Sequence, residues 1–179
     1  GLVSITNENL TVGSGTDQQI SVANAILLAA TTSGTVTSAI DTTESVDSLK
    51  TLFDAGETHA YTITITADAG DATGSTAAEF NAINSATSVA VNMNNVTALA
   101  ASTLSDVNTL ALAIDAGEFS NGGNLTTVAI SDATIDATAL ATAIDNLDGI
   151  NGGSATDMTL AAGATINVDA DEVAHMLAD

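Results

Sequence analysis

Residues Val89–Ile130 read VAVNMNNVTALAASTLSDVNTLALAIDAGEFSNGGNLTTVAI and hold one full turn of a repeat. Val89–Met93 is a short segment in the alternating pattern of a half-buried strand. Val96–Ala100 is a second short apolar segment. From Thr103 to Gly117, Val107, Leu110 and Ile114 recur at spacings of three and four, as on one face of a helix. Asn121, Gly122, Gly123 and Asn124 form a loop, and Leu125 opens the next strand, LTTVAIS. Strand, bend, helix, loop and next strand is the order that recurs on both sides of this stretch.

Outward from it the chain divides into six coils, at 2–35, 36–60, 61–88, 89–124, 125–157 and 158–179. Their strands are Val3–Thr6 with Leu10–Val12, VTSAI from Val36, YTITIT from Tyr61, the two already quoted, and Met158 followed by TINV (Thr165–Val168). The clearest alternation sets Tyr61, Ile63 and Ile65 against Thr62, Thr64 and Thr66. Helices are expected over Ile20–Thr31, Ser45–Ala55, Thr76–Ala86, Asp136–Leu147 and Asp169–Leu177, besides the one at Thr103. Val46, Leu49, Leu52 and Phe53 make one apolar face; Leu140, Ile144 and Leu147 make another. Thr76 and Thr103, each with an acid three residues on, read as N-caps. Gly34, Gly56, Gly117 and Gly149 stand where a left-handed C-terminal cap is wanted.

A period of about 25–36 residues belongs to stacked repeats, in which no single coil can bury its own apolar face. The expected fold is α/β: one repeat domain over 1–179, a solenoid of about six strand–helix coils. A parallel β-sheet with short helices on one side would result. The alternative is a compact doubly wound α/β domain. It ranks second because the helices are short and alanine-rich and no Gly-rich phosphate turn follows a strand.

Composition bounds the function. Hydrophobic residues make up 45% of the chain, yet Phe53, Phe80, Phe119 and Tyr61 are the only aromatics. A core of small aliphatics suits thin stacked layers. Twenty-two acidic side chains face one cation, Lys50, for a formal net charge of −21. Nucleic-acid binding needs a Lys/Arg footprint that is missing, and anionic membrane surfaces are disfavoured for the same reason. Self-repulsion at this charge calls for screening by salt or bound cations. There are no cysteines for disulfides. The longest apolar run, Ala25–Ala30, is far short of the roughly 20 residues of a membrane span. A start at Gly1, with no Met and no signal peptide, fits a mature processed chain or a natural fragment.

Two passages carry a resemblance. Ile40–Thr66, IDTTESVDSLKTLFDAGETHAYTITIT, and Asp132–Gly149, DATIDATALATAIDNLDG, resemble the repeat regions of very large, acidic bacterial and cyanobacterial surface proteins, often exported by type I secretion. The resemblance implies an adhesin-like or surface-layer-like β/α repeat at the cell surface or outside the cell. The calcium-binding G-G-x-G-x-D nonapeptide common in such proteins is absent, with Asn121–Asn124 and Asn151–Ser154 as partial echoes.

The candidate chemistry is sparse. Asp54-Ala-Gly-Glu57, Asp68-Ala-Gly-Asp71 and Asp115-Ala-Gly-Glu118 recur. Carboxylates beside freed carbonyls suit a hard cation, so Asp54, Glu57, Asp68, Asp71, Asp115 and Glu118 are the candidate calcium ligands. The plainer reading, preferred here, is a Gly-capped helix end with solvated acids. Asp169, Asp171, Glu172 and His175 are explained by an acid-rich first helical turn, and one His is a thin basis for zinc. His59, alone in a loop, is read as structural. No G-x-S-x-G elbow exists, and acidic polysaccharide substrates would want more cations than Lys50. Thr62, Thr64 and Thr66 do not recur in adjacent coils as a lattice-matching ladder would. The sequons at Asn9, Asn95 and Asn124 are near chance in a chain this rich in Asn and Thr, and Asn92, Asn94 and Asn95 read as turn or side-chain ladder residues.

The expected function is therefore a non-catalytic structural subunit of an extracellular assembly: a filament, matrix or surface layer. Neither end carries a polar cap, so self-association through the solenoid ends is the expected partnership. The alternative is a stalk or ligand-binding segment of a calcium-dependent adhesin.

Overall fold

Each helix begins where a side-chain oxygen can take the first free backbone N–H groups, a hydroxyl in four cases. In the computed structural model, which describes residues 6–13, 18–55, 58–66, 74–150 and 156–169, Ser21, Ser45, Thr76 and Thr103 all do so. They open helices α1 (Val22–Ala29), α2 (Val46–Leu49), α3 (Ala77–Ser85) and α4 (Leu104–Asp115). Helix α5 (Ala137–Ile150) starts at Asp136, whose carboxylate accepts the Ala139 N–H at 2.9 Å. Thr76 and Glu79 form the reciprocal capping box that their spacing predicts. Gly117 adopts φ +79, and the N–H groups of Gly117 and Glu118 return to the carbonyls of Ile114 and Ala113. That is a Schellman end, left-handed at the glycine.

Between the helices lie short strands: β1 (Leu10–Thr11), β2 (Val36–Ala39), β3 (Ala60–Thr62), β4 (Val91–Asn92), β5 (Phe119–Ser120), β6 (Thr127–Ile130), β7 (Thr134–Asp136), β8 (Asp157–Leu160) and β9 (Thr165–Asn167). Every pairing among the described residues is parallel. Leu10 pairs with Val36, Thr37 with Ala60, Val91 with Phe119, Thr127 with Asp157 and Thr134 with Thr165. Single bridges join Thr64 to Asn92, Ala98 to Thr127 and Ser102 to Ile130. The fold is thus mixed α/β, with short parallel strand pairs. The helices pack in chain order as well: the 3-10 turn Lys50–Ala55 that continues α2 lies against α1 and α3, α3 against α4, and α4 against α5.

One contiguous apolar core runs between strands and helices. Val36, Tyr61, Val91, Phe119, Val128 and Ile130 enter it from the strands, Ile63 and Met93 from the residues just after β3 and β4, and Ala25, Leu49, Phe80, Ile83, Leu110 and Leu147 from the helices. Each buried Val, Leu, Ile, Met or Phe side chain contributes on the order of 1.5–3 kcal/mol by leaving water.

Several expectations are corrected. Phe53 is 50% exposed, although the helical spacing placed it on the buried face. The chain tightens to a 3-10 turn after Leu49; with three residues per turn, Leu49 and Leu52 eclipse and Phe53 swings out. Ile144 is 41% exposed, and Ala143 joins Leu147 in the core instead. Asn146 reaches Asn108 of α4 at 2.6 Å, which turns that side of α5 inward and leaves Ile144 off it. Gly149 caps nothing, because α5 runs through it to Ile150. Gly34 does not have a positive φ; it is required because a Cβ there would stand 2.5 Å from the Glu8 carbonyl oxygen. The Val89–Met93 strand shrinks to Val91–Asn92, with Val89 exposed. The strand expected from Val3, the cap at Gly56 and most of the helix expected from Asp169 lie outside the described residues.

Candidate functional site

Several acidic side chains, none of them among the candidate calcium ligands, are held by backbone N–H groups. The first N–H of a helix has no partner inside the helix. At α1 that donor, Val22, reaches Glu44 Oε1 at 2.8 Å, 22 residues further along the chain. At α3 the donor Ala77 reaches Ser102 Oγ at 2.9 Å, 25 residues on. At α4 the donor Leu104 reaches Asp132 Oδ2 at 2.7 Å, 28 residues on. The starts of α1, α3 and α4 are thus capped twice, once locally by the helix's own hydroxyl and once by a side chain from the following segment. A carboxylate in that place also meets the positive end of the helix dipole. This arrangement was not read from the sequence. The signal present was that Glu44 and Ser102 each directly precede an N-cap residue, Ser45 and Thr103.

Other side chains tie consecutive segments in the same sense. Thr66 donates to the Thr42 carbonyl, Thr87 to Tyr61, and Thr126 to Thr97. Asn121 Nδ2 donates to Asn92 Oδ1 at 3.1 Å, and Asn124 Nδ2 to the Asn94 carbonyl at 2.6 Å, so the asparagines do form a ladder. Thr64 lies beside Asn92, and no threonine row continues there.

Lys50 is the centre of the ion pairs among the described residues. Its ammonium bonds Asp47 and, at 2.7 Å, Glu79. These bonds, that to Asp47 first, raise the Lys50 pKa. Burial pushes the Glu79 carboxyl up, but the Lys50 ammonium and the Thr76 N–H and hydroxyl outweigh it and leave the group below its ordinary value. Asp41 is held low by the Thr43 N–H and then by the Thr43 hydroxyl.

His59 is not in a loop. It bridges to Thr87 as a parallel strand neighbour and is 2% exposed. Its Nδ1 accepts the Val36 N–H at 3.2 Å, and its ring lies 5.3 Å from that of Tyr61. A nitrogen that accepts a backbone N–H carries no proton, so the imidazole is neutral and serves the packing. Burial pushes the Tyr61 hydroxyl up to about 12.

Of the candidate calcium ligands, Glu57, Asp68 and Asp71 lie outside the described residues, and Asp54 lies in the Lys50–Ala55 turn. Asp115 closes α4, and Glu118 follows the Gly117 cap, both exposed. Glu118 accepts from the Asn84 amide at the C-terminal end of α3. A cleft of about 460 Å³ opens there, lined by Thr58, Ser85, Ser88, Gly117 and Glu118 among others. Thr58 Oγ1 is engaged with the Ser85 carbonyl at 3.2 Å and Ser88 Oγ with that of His59 at 3.2 Å. Among the described residues no three His, Asp or Glu side chains group closely enough to hold a metal ion. Asp169 is described and exposed; Asp171, Glu172 and His175 lie outside the described residues. No helix is long and apolar enough to cross a membrane among the described residues.

Comparison with family models, with curated proteins and with solved structures finds no match to this chain.

Proposed function

We propose that the chain is a non-catalytic structural subunit of an extracellular assembly, built as a solenoid whose coils are the successive strand–helix segments. The observation that carries this reading is the order of the pairings. Each parallel pair joins a segment to a later one at a similar distance, and side-chain bonds between segments span 22 to 38 residues. In a doubly wound domain, strands cross over one another in the sheet; here the first three strands lie in chain order. Stacks of this kind carry stability in neighbour-to-neighbour interfaces and lengthen without a closed centre. The neutral, buried His59 and the N–H-bound carboxylates support scaffolding over catalysis. The acidity and the resemblance of the repeats to secreted surface proteins support an extracellular location.

Negative-stain microscopy of the protein across a series of Ca²⁺ concentrations tests the proposal. Ordered filaments or sheets are expected, and a dependence on Ca²⁺ would bring the acidic Asp-Ala-Gly motifs into the assembly as ligands. Discrete single particles at every concentration would sink the subunit reading and favour a stalk segment.

A further inference from the structure

His59 ties three successive segments together. Its backbone N–H donates to the Ala86 carbonyl at 3.1 Å and its carbonyl accepts the Ser88 N–H at 2.8 Å, which fixes it to the segment that follows. Its side chain turns the other way, and Nδ1 accepts the N–H of Val36, the fully buried first residue of β2, at 3.2 Å. The ring is buried and packs against Tyr61, whose hydroxyl reaches the Ala25 carbonyl of α1 at 3.5 Å. The surroundings hold little charge among the described residues. Helix α1, strand β2 and residues 84–88 contain no ionisable side chain. Strand β3 brings only Tyr61, whose hydroxyl burial pushes up to about 12, so it stays uncharged in acid. Glu79, in the first turn of α3, is bound by Lys50 and Thr76, and Glu8, ahead of β1, is exposed.

We propose that His59 is an acid-operated latch between the segments of β2 and β3: a proton taken up at Nδ1 in mildly acidic surroundings releases the start of β2. The proton converts Nδ1 from an acceptor into a donor that faces a second donor, the Val36 N–H. It also places a charge in a buried, largely apolar site, which is costly. The closed form therefore cannot hold both the proton and the bond to Val36. The sign follows. The contribution of this contact is fully present above the ordinary histidine value of about 6.5 and is lost as pH falls below it, because the open form binds one proton more. Between about pH 5 and 7 histidine is the side chain that changes charge, and the chain has two, His59 and His175. The inference stands apart from the subunit reading, since the latch lies within one chain.

The test is amide hydrogen exchange of the full chain, stepped from about pH 7 to 5, in the wild type, His59→Gln and His175→Gln. The control amide is Val91, which donates to the Glu118 carbonyl at 2.9 Å and involves no side chain that titrates in this range. For an amide with a fixed opening equilibrium, the exchange rate falls about tenfold per pH unit with the hydroxide concentration. Opening of the latch grows about tenfold per pH unit below about 6.5, so the two effects cancel. The Val36 rate is therefore expected to level off in the wild type and in His175→Gln while the Val91 rate keeps falling. In His59→Gln, whose side chain can accept the Val36 N–H but takes up no proton, Val36 should fall in step with Val91. A common profile for the two amides in the wild type, or levelling at Val36 that persists in His59→Gln, overturns the latch. Nitrogen NMR of the wild-type imidazoles decides the matter even where His59→Gln does not fold. Nδ1 of His59 should stay unprotonated below about pH 6.5 in the folded chain, and a ring that takes up its proton there while Val36 stays protected overturns the proposal.

Discussion

Thr76, Glu79 and Lys50 join a helix start to the adjacent turn through one set of bonds. The folded-state pKa of Glu79 is depressed below 4.5. Its contribution is therefore present above the unfolded value and is lost as pH falls through the folded one. Urea unfolding at stepped pH should show the stability advantage of the wild type over Glu79→Gln shrinking as pH falls below the ordinary carboxylate range. Thr76→Ala should cost about 0.5–2 kcal/mol at neutral pH, the usual cost of a lost N-cap. The two phenylalanines of neighbouring segments make a sharper contrast. Phe80 is fully buried, so Phe80→Ala should cost about 3–5 kcal/mol. Phe53→Ala, at a half-exposed site, should stay within about 0.5 kcal/mol. Equal losses in thermal melts would contradict the 3-10 turn that separates their fates.

The second cap on α1, α3 and α4 is a property of elements, since its donor and acceptor belong to different segments. Asp132→Ala should cost about 1 kcal/mol and accelerate exchange of the Leu104 amide, which it accepts across 28 residues. An unchanged Leu104 exchange rate would show that the local Thr103 cap suffices. Helix starts were legible because the caps are local: Thr76 with Glu79 and Thr103 with Asp106 sit three residues apart. The alternation of Tyr61, Ile63 and Ile65 was legible for the same reason, and all three are buried. Glu44, Ser102 and Asp132 were not legible as caps, because their partners lie a whole segment away and nothing in local spacing marks them. Phe53 and Gly149 misled for a related reason. A periodic pattern gives the face of an ideal helix, and neither the switch to a 3-10 turn nor the continuation of α5 leaves a trace in it. The acidic motifs mixed both cases: the Gly117 cap followed from its glycine, whereas whether Asp115 and Glu118 meet a cation depends on what approaches from outside the segment.

For the whole molecule the governing quantity is a charge of −21 on a core of small aliphatics. Salt should stabilise the fold: raising NaCl from about 0.05 to 0.5 M shortens the screening length several-fold, and the urea midpoint should move upward with little change in slope. A midpoint that falls with salt would mean that specific ion pairs outweigh the general repulsion. The lone basic side chain has a consequence of a different kind. Trypsin-like proteases cut only after Lys or Arg, so these 179 residues offer such an enzyme one peptide bond, Lys50–Thr51. That bond lies within a 3-10 turn, and the Lys50 side chain an attacking protease must take into its pocket is already engaged with Asp47 and Glu79. Towards a trypsin-like protease, the molecule's survival is set by how often that one turn opens.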